Sequence, residues 1–374
     1  MNPVTVTNMN KDEELVFALR SLYEQYGYTQ YKMSKFEEYD LYAGNKDFLV
    51  SDNVITFTDT NGKLMALKPD VTLSIVRNSR FDPDDMIRKV YYHENVYRIS
   101  GRNRSFCEIM QTGLECIGNI DSYCVSEVLM LAASSMKCIS DSFVLDLSHM
   151  AIVGYFIDRL RLPENLRSDI FKCIGEKNTH ELEAICARNH ADILALQALL
   201  KLIRITGTPS EVADDLISLG CPVAYVSELT AIEKDLSVFG LDQMLRVNFS
   251  VVNDMSYYNG LVFKGYIQGI PASVLSGGRY DSLMQKTGRD TGAIGFAVYP
   301  DLLEKYWNET NDYDVDTVLL YDSQVSNADL FAAIGKLNTS GKSTLALRSI
   351  PSSIRYRQLA TMHGSEVTIS EHND

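Results

Sequence analysis

The sequence predicts an α+β protein: an antiparallel sheet flanked by helices, with a helical insertion and a small α/β domain at the C-terminal end. Three observations carry this reading. Lys89–Arg98 and Phe106–Gly118 are two long extended runs joined by a polar loop, the pattern of a hairpin. Residues 150 to about 238 carry almost only helical periodicity. Beyond the polar, acidic stretch Asn308–Asp316, short strand and helix patterns alternate.

The elements follow in order. Leu15, Ala18, Leu19, Leu22 and Tyr26 recur at helical spacing, which predicts an amphipathic helix over 11–26, stopped by Gly27. Two short apolar segments lie around Phe48–Phe57 and Lys63–Leu67. Pro69–Arg80 reads as a helix with Pro69 and Asp70 in its first turn. The loop Ile99–Ser105, with Gly101, Arg102, Asn103 and Arg104, suits a polar hairpin tip. A helix over Asp121–Lys137 and a strand over Phe143–Leu147 precede the helical block, which breaks at Leu160–Pro163 and Thr206–Ser210. Strands return at Gly260–Tyr266, Ala272–Arg279 and Ala293–Val298. Gly277, Gly278 and Gly295 within them, with Gly292 at the start of the last, imply close approach by a ligand or another backbone. Past Asp316, the segments Thr317–Tyr321, Asn327–Leu337, Thr344–Leu347, Ser352–Thr361 and Glu366–Ile369 alternate strand and helix, so Ser352–Thr361 is expected to be helical. Ser326 with Asp329 suggests a capping box, and Gly341 a helix stop. The expected division is a core over 1–310 with its insertion at about 150–238, and a small domain over 311–374.

Composition narrows the function. The chain has 374 residues, 45% hydrophobic and 22% charged, which implies an ordinary packed core. The net charge of −14 argues against a general nucleic-acid binder. Seven cysteines form no C-x-x-C pair, and the six histidines are scattered, so neither a metal nor a cofactor site is expected. No apolar run is long enough to span a bilayer, and Met1–Asn10 lacks a signal-peptide core, so the expected location is the cytoplasm.

Three segments, in this order, resemble the class II aminoacyl-tRNA synthetase core, and specifically the histidyl-tRNA synthetase family. Leu67-Lys68-Pro69-Asp70-Val71-Thr72 is similar to L-R-P-E-G-T. Asn95-Val96-Tyr97-Arg98, followed by Gln111-Thr112-Gly113-Leu114-Glu115-Cys116-Ile117-Gly118, resembles the arginine-bearing hairpin with its Q-x-G-x-E-x-x-G return strand. Gly277-Gly278-Arg279-Tyr280-Asp281, followed by Gly295-Phe296-Ala297, is similar to G-G-R-Y-D…G-F-A. Tyr257-Tyr258-Asn259-Gly260 resembles the tyrosine pair of the histidine-specific motif. The helical block falls where the family carries its insertion, and the C-terminal domain resembles a shortened anticodon-binding domain.

The residues also make chemical sense on their own. Gln111, Gly113 and Glu115 alternate on a strand and so share a face, with Gly113 leaving space and the other two offering acceptors. A glutamate among such apolar neighbours is costly without a partner. Asp70 and Thr72 can add acceptors for an ammonium, although Asp70 would also serve as a helix cap. Tyr257 or Tyr258 can reach an imidazole ring, with core packing the competing role for Tyr257 because adjacent strand residues point to opposite faces. The resemblance implies a histidine-binding set of Asp70, Thr72, Arg98, Gln111, Glu115, Tyr257 and Tyr258.

The departures are as informative. Adenylation needs cations around the ATP phosphates. The family's G-L-E-R run is here Tyr299-Pro300-Asp301-Leu302, with Leu302 at the arginine position. R-G-L-D-Y-Y is here Asn253-Asp254-Met255-Ser256-Tyr257-Tyr258, with Asn253 for arginine and Ser256 for aspartate. The hairpin's R-x-R-E-F is here Ser105-Phe106-Cys107-Glu108-Ile109. Arg98 remains. Each lost contact would remove on the order of 2–4 kcal/mol of transition-state stabilisation, enough together to abolish useful adenylation. This pattern resembles a non-aminoacylating paralogue, the ATP phosphoribosyltransferase regulatory subunit family. That resemblance implies no independent catalysis and a short-form ATP phosphoribosyltransferase catalytic subunit as partner. It also implies a homodimer through the class II core and histidine as effector, and it speaks against tRNA as a partner. Two alternatives remain open on sequence: an active histidyl-tRNA synthetase, and a stand-alone histidine sensor.

Overall fold

The computed structural model describes residues 11–43, 54–78, 87–99, 105–252, 260–303, 306–307, 313–338 and 342–372. Contacts divide the chain into a large unit, Leu15–Tyr306, and a small one built mainly from Trp307–Asp374.

Helix α1 (Lys11–Gln25) buries Leu15, Leu19 and Tyr23, one stripe at four-residue spacing. Strands β1 (Thr29–Gln30) and β2 (Phe36–Glu38), helix α2 (Asp40–Ala43), strands β3 (Thr56–Thr58) and β4 (Leu64–Leu67), and helix α3 (Val71–Asn78) follow. The long pair β5 (Ile87–Ile99) and β6 (Phe106–Gly118) stays in register over its whole length. Helix α4 (Ser122–Ile139), capped by Asp121, leads to β7 (Phe143–His149).

The insertion comprises α5 (Met150–Asp158), α6 (Arg167–Gly175), α7 (Thr179–Arg188), α8 (Ile193–Arg204), the short β8 (Thr206–Gly207), α9 (Pro209–Ser218) and α10 (Val223–Ser237). The expected break at Thr206–Ser210 is where β8 ends and Thr208 opens α9 with a complete capping box to Glu211. Strands β9 (Leu245–Asn248), β10 (Leu261–Ile267) and β11 (Leu275–Arg279), helix α11 (Asp281–Lys286) and strand β12 (Gly292–Val298) complete the unit.

Nine strands form one sheet in the order β1-β5-β6-β12-β11-β10-β7-β9-β8. Its central run, β5 to β7, is antiparallel throughout. One face packs on α1 and α4: Tyr23 meets Phe296 edge-on, and its hydroxyl pairs with Ser135 at 3.0 Å. On the other face Val90, Tyr92, Val96, Ile117 and Ala293 pack with Leu73 and Ile75 of α3 and with Tyr280 and Leu283. The functional residues sit on this second face.

Two expectations change here. Asp70 caps α3 from outside, because Val71 is the first helical residue. In the small unit, β13 (Val315–Tyr321), α12 (Asn327–Leu337) and β14 (Thr344–Leu347) follow the expected order, and Ser326 caps α12. Ser352–Thr361, however, is not a helix: β15 (Tyr356–His363) runs there, paired with β13 on one side and β16 (Glu366–His372) on the other. Gln358, Ala360 and Met362 alternate into the core, so a two-residue period wins. Gly341 lies outside the described residues.

Candidate functional site

Strand register builds the site. The directly paired rows Gly113–Ala297–Ser276 and Glu115–Gly295–Gly278 cross β6, β12 and β11 on one face. Two positions demand glycine. A Cβ on Gly295 would stand 1.8 Å from Glu115 Oε2, and one on Gly113 would stand 2.1 Å from the Phe296 carbonyl oxygen. The glycines clear the floor around a buried carboxyl group.

Helix α3 supplies the opposite wall. Asp70 Oδ1 accepts the Leu73 N–H at 2.8 Å, while Oδ2 lies 3.9 Å from Arg98 Nη2. Asp70 therefore caps the helix with one oxygen and faces Arg98 with the other. Arg98 is held by its own bond, Nε donating to the Pro69 carbonyl at 2.9 Å. Burial pushes the Asp70 carboxyl up, opposed by the Arg98 charge and by the first-turn N–H groups.

Glu115 joins the two walls. Thr72 Oγ1 donates to its Oε1 at 2.6 Å, and Tyr280 Oη donates to its Oε2. Burial raises Glu115 to about 8; the two hydroxyl donors pull it down, and the Asp70 charge adds to the rise. Gln111, four residues back on β6, is 5% exposed, and its amide makes no hydrogen bond among the described residues. Such an amide is completed by a ligand or by water.

Asp70, Thr72, Arg98 and Glu115 are thus linked by direct contacts, and Gln111 lies on the same face as Glu115. Tyr257 and Tyr258, with Asn253 and Ser256, lie outside the described residues. Tyr280 is the site residue that the motif reading passed over. It follows Gly278 by two positions, and that spacing places it on the same face as Gly278. On the cation-poor side, Leu302 is 40% exposed where the resembled run has arginine, and Asp301 Oδ2 accepts the Met110 N–H at 2.8 Å.

Two carboxyl groups, hydroxyls, an unpaired amide and one guanidinium suit a small zwitterion, with the ammonium at the acids and the carboxylate toward the cation. Among the described residues no group of three or more His, Cys, Asp or Glu is arranged to hold a metal ion. Nor is any helix among them long and apolar enough to cross a membrane.

Comparisons with known proteins bear on the fold and the family. The ATP phosphoribosyltransferase regulatory subunit of Clostridium kluyveri is 27% identical over 82% of this chain and 81% of its own length. A solved ATP phosphoribosyltransferase regulatory subunit/histidyl-tRNA synthetase from Bacillus halodurans superposes with a TM-score of 0.78 at 21% identity, covering 96% of this chain and 99% of that one. A chain of the ATP phosphoribosyl transferase complex from Thermotoga maritima gives 0.62 at 21% identity, covering 77% and 97%. The family model for histidyl-tRNA synthetase matches residues 3–303, the stretch that holds every side chain of the site. The chain belongs to the histidyl-tRNA synthetase family.

Proposed function

We propose that this chain is a regulatory subunit of ATP phosphoribosyltransferase in histidine biosynthesis and carries out no aminoacylation of its own. It assembles as a homodimer through the class II core and partners a short-form catalytic subunit, with histidine as effector. Asp70, Thr72, Arg98, Gln111 and Glu115 hold the amino acid, and Tyr257 or Tyr258 supplies a hydroxyl to its ring. Residues 311–374 are a truncated counterpart of the anticodon-binding domain.

The selective pattern of the site carries this reading. Acceptors for the amino acid are present: Glu115 is held by the Thr72 and Tyr280 hydroxyls, and Asp70 is held at the start of α3. The cation positions of the resembled motifs are Leu302, Asn253 and the Ser105–Ile109 run. The relatives named as regulatory subunits support it. Histidine would act by binding one conformation of the assembly more tightly than another, which shifts the partner's activity.

The test is to assay a cognate short-form phosphoribosyltransferase with and without this chain, and then to add histidine. Activation that histidine reverses supports the proposal; a catalytic subunit indifferent to the chain sinks it. The family membership favours one second reading, an active synthetase, and histidine-dependent ATP–pyrophosphate exchange by the chain alone would establish that one instead.

A further inference from the structure

Tyr299 follows β12 directly, and its N–H donates to the Val274 carbonyl at 2.9 Å. Ala297 pairs with Gly113 on one side and with Ser276 on the other. Two residues on, alternation along the strand puts the Tyr299 side chain on the same face as Ala297. Its hydroxyl is 2.8 Å from Ser276 Oγ, so the half-buried ring lies back across the β12 and β11 rows. Arg98 and Asp70 are close enough for their charges to act on it in opposite senses. The following turn is fixed as well: the Leu302 N–H donates to the Tyr299 carbonyl at 3.2 Å, and Asp301 holds the Met110 N–H next to Gln111. In the G-L-E-R run that Tyr299-Pro300-Asp301-Leu302 replaces, this position is glycine.

We propose that Tyr299 is a steric plug that closes the nucleotide side of the site, so that the pocket admits a free amino acid and excludes an aminoacyl adenylate. Forming an adenylate brings the amino acid's carboxylate against the α-phosphate. The nucleotide must therefore lie on this sheet face next to Arg98 and the amino acid. Glycine leaves that floor open, whereas a tyrosine ring tied to Ser276 occupies it. The missing cations remove attraction for a nucleotide, and the ring separately removes the room for one. This inference rests on the amino-acid pocket proposed above.

The test titrates the full-length chain by calorimetry with histidine, adenosine and a histidyl-sulfamoyl adenosine. The last mimics the adenylate without needing phosphate-binding cations. The wild type is expected to bind histidine and to bind the mimic at least about 100-fold more weakly. Tyr299→Ala should tighten the mimic by about tenfold or more and change histidine by less than about threefold. Tyr299→Phe, which keeps the ring and drops the Ser276 bond, should still exclude the mimic. Should Tyr299→Ala fail to fold, Tyr299→Leu carries the same expectation with a smaller gain. A wild type that binds the mimic as tightly as histidine, or a folded small-side-chain variant with no gain, overturns the plug. If histidine binds neither protein, the pocket reading falls, and adenosine alone judges the plug: binding by Tyr299→Ala and not by wild type upholds it, and equal behaviour overturns it.

Discussion

Glu115 receives hydroxyl donors from Thr72 and Tyr280, and burial lifts its pKa from 4.5 to about 8. The folded carboxyl therefore holds a proton near neutrality that the unfolded chain has released. Stability from this group is complete below about 4.5 and is lost as the pH rises through about 8. Thermal melts of the unliganded protein should fall over that window, and Glu115→Gln should flatten much of the slope. Asp70, also raised by burial, contributes a slope of the same sign. An arriving ammonium favours the charged form, so histidine binding near pH 7 should release protons. Calorimetry in buffers of different ionisation enthalpy measures this, and Glu115→Gln should abolish most of it. Gly295→Ala places a Cβ on the Glu115 carboxylate and should weaken histidine binding by about 100-fold or more, checked by direct titration. At this scale the sequence was informative where polar residues alternate with glycine, as at Gln111, Gly113 and Glu115. It gave no site role to Tyr280, whose importance depends on Glu115 facing it from two strands and many positions away, a matter of register.

Among the elements, β5 and β6 were legible because each runs for thirteen residues, long enough for the extended pattern to be unambiguous. The helix after Ser326 was legible for a similar reason, since that serine marks its start. Strand β15 was not. Its eight residues read equally well at two periods, and the choice was made by neighbours: β13 and β16 take its backbone bonds, and Gln358 Nε2 donates to Thr317 Oγ1 at 2.7 Å. The insertion offers an element-scale prediction. Thr208→Ala removes one half of the α9 capping box and should cost about 1 kcal/mol in denaturant melts. Histidine affinity should stay unchanged, since Thr208 makes no contact with the site residues.

For the whole molecule, loss of chemistry and retention of binding should be separable. Leu302→Arg restores one cation position and leaves Tyr299 in place, so this variant should still show no histidine-dependent ATP–pyrophosphate exchange above background. Exchange from that single change would mean that charge alone had been missing. A catalytic partner stimulated by the wild type should keep its stimulation with Gln111→Ala and lose its histidine sensitivity, with the half-inhibiting concentration rising about tenfold or more. That outcome separates assembly from ligand sensing.

Strand β11 carries a further consequence, for how this lineage can change. Ser276 ties down Tyr299, Gly278 continues the cleared row beside Glu115, and Tyr280, just past the strand, grips the Glu115 carboxyl. All three sit at two-residue spacing on one face, while Arg279 between them pairs with Asp281. One residue inserted or deleted between them would turn those on one side of the change away from the site and break the set. Descendants of this chain can therefore exchange these side chains one at a time, but length changes in this segment are closed to them, and insertions and deletions are confined to the loops and the helical block.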